Sequence, residues 1–307
     1  MNYFYGPVPS RRLGLSLGVD LLPQKICTFD CIYCQLGRTQ RKTVKRFFYI
    51  DLDKFKRELK EVLKKTPQFD YITISGKGEP TLHKDLDKII LAIKKITKNR
   101  YPVCIITNSS LLYRKKVRKE LMGADLITPS LDFATLSTFK KINQPHKKIS
   151  FKKTIEGLIK LKEEFKGKVW LEVMLIKKIN TNLKEIKKLK KIIEEISPHK
   201  VHLNLPTRPA PYKLSLLNRK EMLKIKKILG KNIEIVGGSF KRKIKGYIGS
   251  KEKILAFLKI RPATKRDLSV SLGMDSKTVD EYLEILLEEE KIKERFYQGE
   301  RYFLSND

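Results

Sequence analysis

The chain has 307 residues, a third of them charged, and sets 67 Lys and Arg against 34 Asp and Glu for a formal net charge of +33. Such an excess attracts polyanions at long range; the other reading is a lysine-rich proteome of thermophilic kind, which normally brings matching glutamate. Four cysteines are too sparse for a disulfide framework, no apolar run approaches the ~20 residues that cross a bilayer, and the start of the chain lacks a signal-peptide core. The expectation is a soluble, cytoplasmic protein in a reducing compartment, without a membrane partner.

Arg11 and Arg12 precede the first apolar run, either pairing with an anion or facing water. That run, 15–21, reads as a strand, and after it Cys27, Cys31 and Cys34 follow at C-x3-C-x2-C spacing. Three thiolates on one short loop leave a metal position open, whereas a cubane iron–sulfur cluster normally takes four cysteines. The fourth, Cys104, lies in the apolar, β-branched run Val103-Cys104-Ile105-Ile106, where it reads as a small hydrophobe. Zinc prefers paired half-sites with ligands at a second knuckle, and His83, His146, His199 and His202 show no such pairing. The basic stretch 38–49 carries Phe47, Phe48 and Tyr49, rings for either base stacking or core packing.

Further strands are predicted at 71–75, 103–107, 126–131, 169–175 and 201–205, with helical periodicity between them, as in Leu86, Ile89, Ile90, Ile93 and Ile96. Polar segments stand at the strand ends. They are Ser75-Gly76-Lys77-Gly78-Glu79-Pro80, then Thr107-Asn108-Ser109, then Ser130-Leu131-Asp132, and finally Asn204 to Pro211 with Arg208. Ser130 and Asp132 suit a ligand and a helix cap alike. Six strands alternating with helices call for a parallel sheet with right-handed crossovers; curled, it is a partial (β/α)6 barrel with every motif at its C-terminal mouth.

The character changes near residue 245. Segments 264–273 and 276–283 read as two helices around a glycine turn, and 292–304 as a hairpin, giving an α+β tail that resembles a winged helix. The expected domains are 1–245 and 246–307. The would-be recognition helix, 276–287, carries Asp280, Glu281 and Glu284 and runs on into Glu288, which repel phosphate. Lys277, Thr278, Arg295 and Arg301 remain for a backbone. Nucleic-acid binding and a protein-docking or packing role both stay open.

The cysteine triplet with Tyr33 before its last member resembles the signature of the radical S-adenosylmethionine (radical SAM) superfamily, and 72–81 resembles its Gly-Gly-Glu-Pro segment. The opening Gly6-Pro7-Val8-Pro9-Ser10-Arg11-Arg12 and the run Tyr33-Cys34-Gln35-Leu36-Gly37 are similar to a subgroup related to the wybutosine-synthesis enzymes of transfer RNA. The resemblance implies a radical SAM barrel with a [4Fe–4S] cluster on Cys27, Cys31 and Cys34, and SAM on the open iron. It implies cleavage of SAM to a 5'-deoxyadenosyl radical, driven by a donor such as ferredoxin or flavodoxin. It assigns SAM contacts to Tyr33, Gly78, Glu79, Asn108, Ser130 and Asp132, with Arg11, Arg12 and Arg208 as further substrate or SAM contacts. One extra residue in Ser75-Gly76-Lys77-Gly78-Glu79 leaves Gly76 and Gly78 as rivals for one position. Cys104 alone leaves no second Cys-ligated cluster of the wybutosine type. Three functions follow: an enzyme modifying RNA, transfer RNA foremost; one activating or maturing a protein or small molecule; or an Fe–S redox sensor that binds nucleic acid.

Overall fold

The computed structural model describes residues 3–10, 12–66, 69–236 and 249–306. Strands β1 (Phe4–Ser10) and β2 (Gly14–Val19) form an antiparallel hairpin. The cysteine segment follows, with the short parallel pair β3 (Ile26–Cys27) and β4 (Arg41–Lys42) at its two ends. Then come α1 (Leu52–Lys65), β5 (Tyr71–Ile74), α2 (Leu86–Thr97), β6 (Val103–Thr107), α3 (Lys115–Leu121), β7 (Leu126–Pro129) and α4 (Leu136–Asn143). After these lie α5 (Phe151–Glu164), β8 (Lys168–Met174), α6 (Leu183–Ile196), β9 (Lys200–Asn204), α7 (Arg219–Leu229) and β10 (Ile233–Ile235). The tail holds α8 (Lys251–Leu258), β11 (Ala263–Thr264), α9 (Lys265–Leu272), α10 (Ser276–Glu288), β12 (Ile292–Tyr297) and β13 (Glu300–Ser305). The expected boundary at 245/246 lies outside the described residues.

Local sequence explains the helix starts. Asp51, Thr135, Ser150, Asn182, Asn218, Thr264 and Asp275 each accept a first-turn N–H of the helix that follows, satisfying donors that otherwise lack partners.

The main sheet runs β1-β2-β5-β6-β7-β8-β9-β10, and every pair from β2 onward is parallel. The six strands expected from the sequence are its centre. The edge strands β1 and β10 went unpredicted for local reasons: Gly6-Pro7-Val8-Pro9 reads as a loop, although proline is tolerated at a sheet edge, and three residues show no periodicity.

The strands alternate between two buried faces. Leu15, Leu17, Val19, Ile72, Ile74 and Val103 pack against the helices in the main apolar core. Ser16, Gly18, Thr73, Ser75, Glu172 and Asn204 face one cavity of about 330 Å³, lined also by β1 and by Val236 just beyond β10. Eight strands laid flat would span some 30 Å at about 4.8 Å each, so touching a single small cavity requires the sheet to curl around it.

The tail has an apolar cluster of its own, including Ile254, Leu268, Val279, Leu283 and Phe303, with Val8 of β1 packed against it. Its three-stranded sheet, β11-β13-β12, rests on the segment after β9. Tyr297 Oη donates to Pro206 O (3.1 Å), Tyr302 Oη to Thr207 O (3.0 Å) and Gln298 Nε2 to Leu214 O (3.1 Å). Among the described residues no helix is long and apolar enough to cross a membrane.

Candidate active site

The cysteine loop is fixed on two sides. On one, Asp30 N and Ile32 N donate to Asn143 O and Ile142 O, and His146 N to Thr28 O. On the other, Glu79 N donates to Ile26 O (3.1 Å), Thr43 N to Cys27 O (2.9 Å), and Thr28 Oγ1 pairs with Ser110 Oγ (2.6 Å). Two amides reach the sulfurs: Asn108 Nδ2 lies 3.3 Å from Cys27 Sγ and Asn143 Nδ2 3.4 Å from Cys31 Sγ.

Burial, with Glu79 nearby, pushes the Cys27 thiol up to about 12. Burial also pushes Cys31 well above the ordinary thiol range, reinforced by Cys27 and Asp132 and opposed by the Asn143 amide. The sulfurs of Cys27 and Cys31, each with a side-chain amide in reach, are the kind of donor an iron cluster takes, while among the described residues no three Cys, His, Asp or Glu side chains are already gathered as a metal site.

Asp132 joins this loop to the cavity. Its carboxylate accepts from Tyr33 Oη (2.5 Å), Asn143 Nδ2 (2.9 Å) and Met174 N (2.9 Å). Burial raises its pKa to about 6 against those bonds. Beside it, burial opposes the ionisation of Glu172, but Arg12 and the Asn204 amide outweigh burial and hold it below the usual carboxylate range.

Of the residues picked from sequence, Tyr33, Ser130, Asp132, Arg12 and Arg208 line the cavity. Arg208 Nε and Asn204 Oδ1 are buried there without a hydrogen-bond partner among the described residues. Arg11 lies outside the described residues.

Gly78, Glu79 and Asn108 are not among the residues that line the cavity; they stand against the cysteine segment instead. Glu79 is fully buried, and its oxygens already accept from Thr81 N (3.1 Å), Thr81 Oγ1 (2.6 Å), Thr107 Oγ1 (2.6 Å) and Asn108 N (2.7 Å). Gly78 presses on the strand that leads into Cys27, where an added Cβ would come within 1.8 Å of Ile26 O. Gly76, with φ of +134°, is the rival that does reach the cavity wall, and an added Cβ would fall 2.5 Å from the Asp20 carboxyl.

Sequence reasoning missed Tyr5, Ser16, Thr73 and Glu172, while Ser75 and Asn204 lie in the strand-end segments that it places at the mouth. Polar residues at alternate positions of otherwise apolar strands were the available signal. It also missed Ile260 and Arg261, which reach the cavity from the tail; nothing local in the sequence marks that docking. Cys104 is buried in β6 between Leu13 and Leu126, as expected of a small hydrophobe.

The family model "Radical SAM superfamily" matches residues 21–191. Over 96% of its length the chain is 44% identical to a protein described as GTPase Obg from Brachyspira hyodysenteriae, and it spans 44% of that relative. It is 32% identical to a UPF0026 protein of Methanocaldococcus jannaschii, over all of this chain and 97% of the other. A radical SAM methyltransferase from Sphaerobacter thermophilus shares the fold, with a TM-score of 0.52 at 14% identity over 72% of this chain and 65% of that one. The chain belongs to the radical SAM superfamily. It is an enzyme, and membership implies a [4Fe–4S] cluster and SAM.

Two outcomes follow from this geometry. Gly78→Ala must move backbone against backbone, so we expect a loss of about 1–3 kcal/mol in stability and a drop in reconstituted iron per chain, measured by denaturation and iron assay. Asp20, buried, has its pKa raised to about 6, opposed by bonds from Leu22 N and Lys77 N. A raised carboxyl penalises folding in full above about pH 6 and ceases to below the unfolded value near 4, so this group lowers stability as pH rises through that window. Asp20→Asn should flatten the dependence and, at pH 7, recover part of about 3 kcal/mol, read from urea unfolding at pH 4.5 and 7.

Proposed function

We propose that Cys27, Cys31 and Cys34 hold three irons of the cluster and that SAM lies along the cavity against Tyr33, Gly76, Ser130 and Asp132. When bound, the cluster supplies the electron that splits SAM into methionine and the 5'-deoxyadenosyl radical, with ferredoxin or flavodoxin as donor. The observation that carries this reading is Asp132, one carboxylate bonded both to the cavity wall at Tyr33 and to the amide that touches Cys31. Gly78, Glu79 and Asn108 act one layer back, positioning the Cys27 segment. A cytoplasmic location accompanies free thiols of this kind.

We take 1–245 as the SAM-binding domain and 246–307 as a winged-helix-like domain, on the order α8-β11-α9-α10-β12-β13 and its separate apolar cluster. Its part in catalysis is to wall the cavity. Arg261, anchored by its N–H to Phe257 O (3.1 Å) with its guanidinium 4.7 Å above the Phe257 ring, presents a cation there beside Arg208.

The substrate we infer is RNA, transfer RNA foremost, supported by the +33 charge and by a recess beside the cysteine loop lined by Lys25, Arg38, Lys77 and Lys259. A protein substrate is the second reading, favoured by the exposed Glu281, Glu284 and Glu288 around Ile285 on α10. The redox-sensing regulator is set aside, because the superfamily is one of enzymes. Kinship with the wybutosine enzymes extends in this reading to the barrel and not to the reaction, since Cys104 is the one cysteine beyond the triplet and leaves no second Cys-ligated cluster. Nor does GTPase activity carry over: the sequence holds no G-x4-G-K-[ST] phosphate loop.

Reconstituted, reduced protein should release 5'-deoxyadenosine from SAM, and Cys31→Ala should abolish it; a cluster-loaded protein that leaves SAM intact sinks the reading. Mass spectrometry of transfer RNA from cells lacking the gene should show one modification missing. On that RNA, Arg261→Gln should raise KM about tenfold, the cost of one charge-assisted bond; an unchanged KM removes Arg261 from substrate binding.

A further inference from the structure

We propose that the surface beside β4 is a platform for a single strand of RNA leading to the cavity mouth; this rests on the RNA reading above. Between β4 and α1 the chain exposes two aromatic rings, Phe47 at 40% and Phe48 at 65%, for which the sequence left base stacking and core packing both open. Exposed rings are costly unless they meet a partner. Arg41 lies 5.4 Å over the Phe47 ring and Lys84 5.2 Å over Phe48, so each ring carries a cation at its face.

Phe47 lines a shallow basin of about 710 Å³, to which Lys45, Lys84, Lys116 and Lys148 also contribute, and Phe48 follows it in the chain outside that lining. None of these four lysines forms an ion pair among the described residues, although Lys116 lies near enough to Asp85 to favour its charge, whereas the Arg46 side chain is buried against Glu120. The basin thus sets two structural cations, Arg46 and Arg114, the latter bonded to Tyr113 Oη and Val44 O, apart from four lysines of which Lys45, Lys116 and Lys148 are exposed and Lys84 is half-buried.

The backbone under the rings is fixed. Phe47 N donates to Leu82 O (3.0 Å), Lys84 N to Phe47 O (2.9 Å), and Tyr49 N to His83 Nδ1 (3.1 Å). From there the chain runs back to Thr43, whose N–H bonds Cys27 O, and to Lys42, paired in register with Cys27. A strand stacked at Phe47 and Phe48 therefore lies a few residues from the cysteine loop. Rings that stack on bases and cations that follow phosphates, in one groove, are what sequence-tolerant single-strand binding uses. Concavity argues against a bilayer, which takes protruding apolar residues on a flat face.

The test is fluorescence anisotropy with labelled oligouridylate of about 12 nucleotides, at rising salt, on the full chain. Wild type should bind at low salt. Phe47→Ala/Phe48→Ala should weaken binding tenfold or more without changing the salt slope, and Lys45→Ala/Lys84→Ala/Lys116→Ala should flatten the slope by about 0.7 per lysine. Melting temperatures near wild type confirm that both variants fold. Binding that neither variant alters overturns the platform and leaves the RNA reading standing; no binding by wild type at low salt overturns both. Capture by phosphatidylserine vesicles, lost in the ring variant and without RNA binding, assigns the surface to membrane and overturns the proposal.

Discussion

The mouth of this barrel depends on one buried carboxylate. Glu79 sits where water cannot reach it, an expensive position for a charge unless its lone pairs are filled. Burial raises its pKa, and bonds from Thr107, Thr81 and Asn108 counter that rise. These partners belong to different parts of the chain, so Glu79 ties the end of β5 to the end of β6. Asn108 passes the constraint to Cys27, and the Glu79 N–H passes it to Ile26. Removing one partner would leave a charge unpaired, which is why the bonds form together.

The same economy shapes the cavity. Its two carboxylates are each committed, Glu172 to Arg12 and Asn204, and Asp132 to Tyr33, Asn143 and the Met174 N–H. The wall also carries two arginines, Arg208, whose Nε has no hydrogen-bond partner among the described residues, and Arg261, brought by the tail. Guanidinium groups at the cavity border suit the carboxylate or phosphate part of a ligand. The tail supplies part of that border, so it belongs to the site rather than to the periphery.

Much of the centre was legible in the sequence because it is encoded locally. Strand runs such as 103–107, the C-x3-C-x2-C spacing and the turn at Gly273 each declare themselves within a dozen residues. What stayed hidden depends on pairing across the chain. Gly78 and Glu79 look like ligand contacts from their neighbours, and only the folded chain shows Ile26 against Gly78 and the Asn108 N–H on Glu79. Phe47 and Phe48 suit base stacking and core packing alike in the sequence, and only their exposure in three dimensions tells the two apart. The docking of the tail through the Tyr297 and Tyr302 hydroxyls onto the carbonyls of Pro206 and Thr207 has no signature in either segment.

Charge is distributed with direction, which the net value of +33 conceals. The basin beside the cysteine loop gathers lysines that form no ion pair among the described residues, while α10 turns Glu281, Glu284 and Glu288 to solvent. At a Debye length near 8 Å in physiological salt, a polyanion feels each surface separately. On the RNA reading proposed above, attraction at the basin and repulsion at α10 act each at its own surface, the one drawing a strand along residues 38–48 and the other keeping it from the helix that a winged helix would ordinarily offer to nucleic acid. In this reading the tail has given up groove recognition, and its contribution is the cation it places in the cavity.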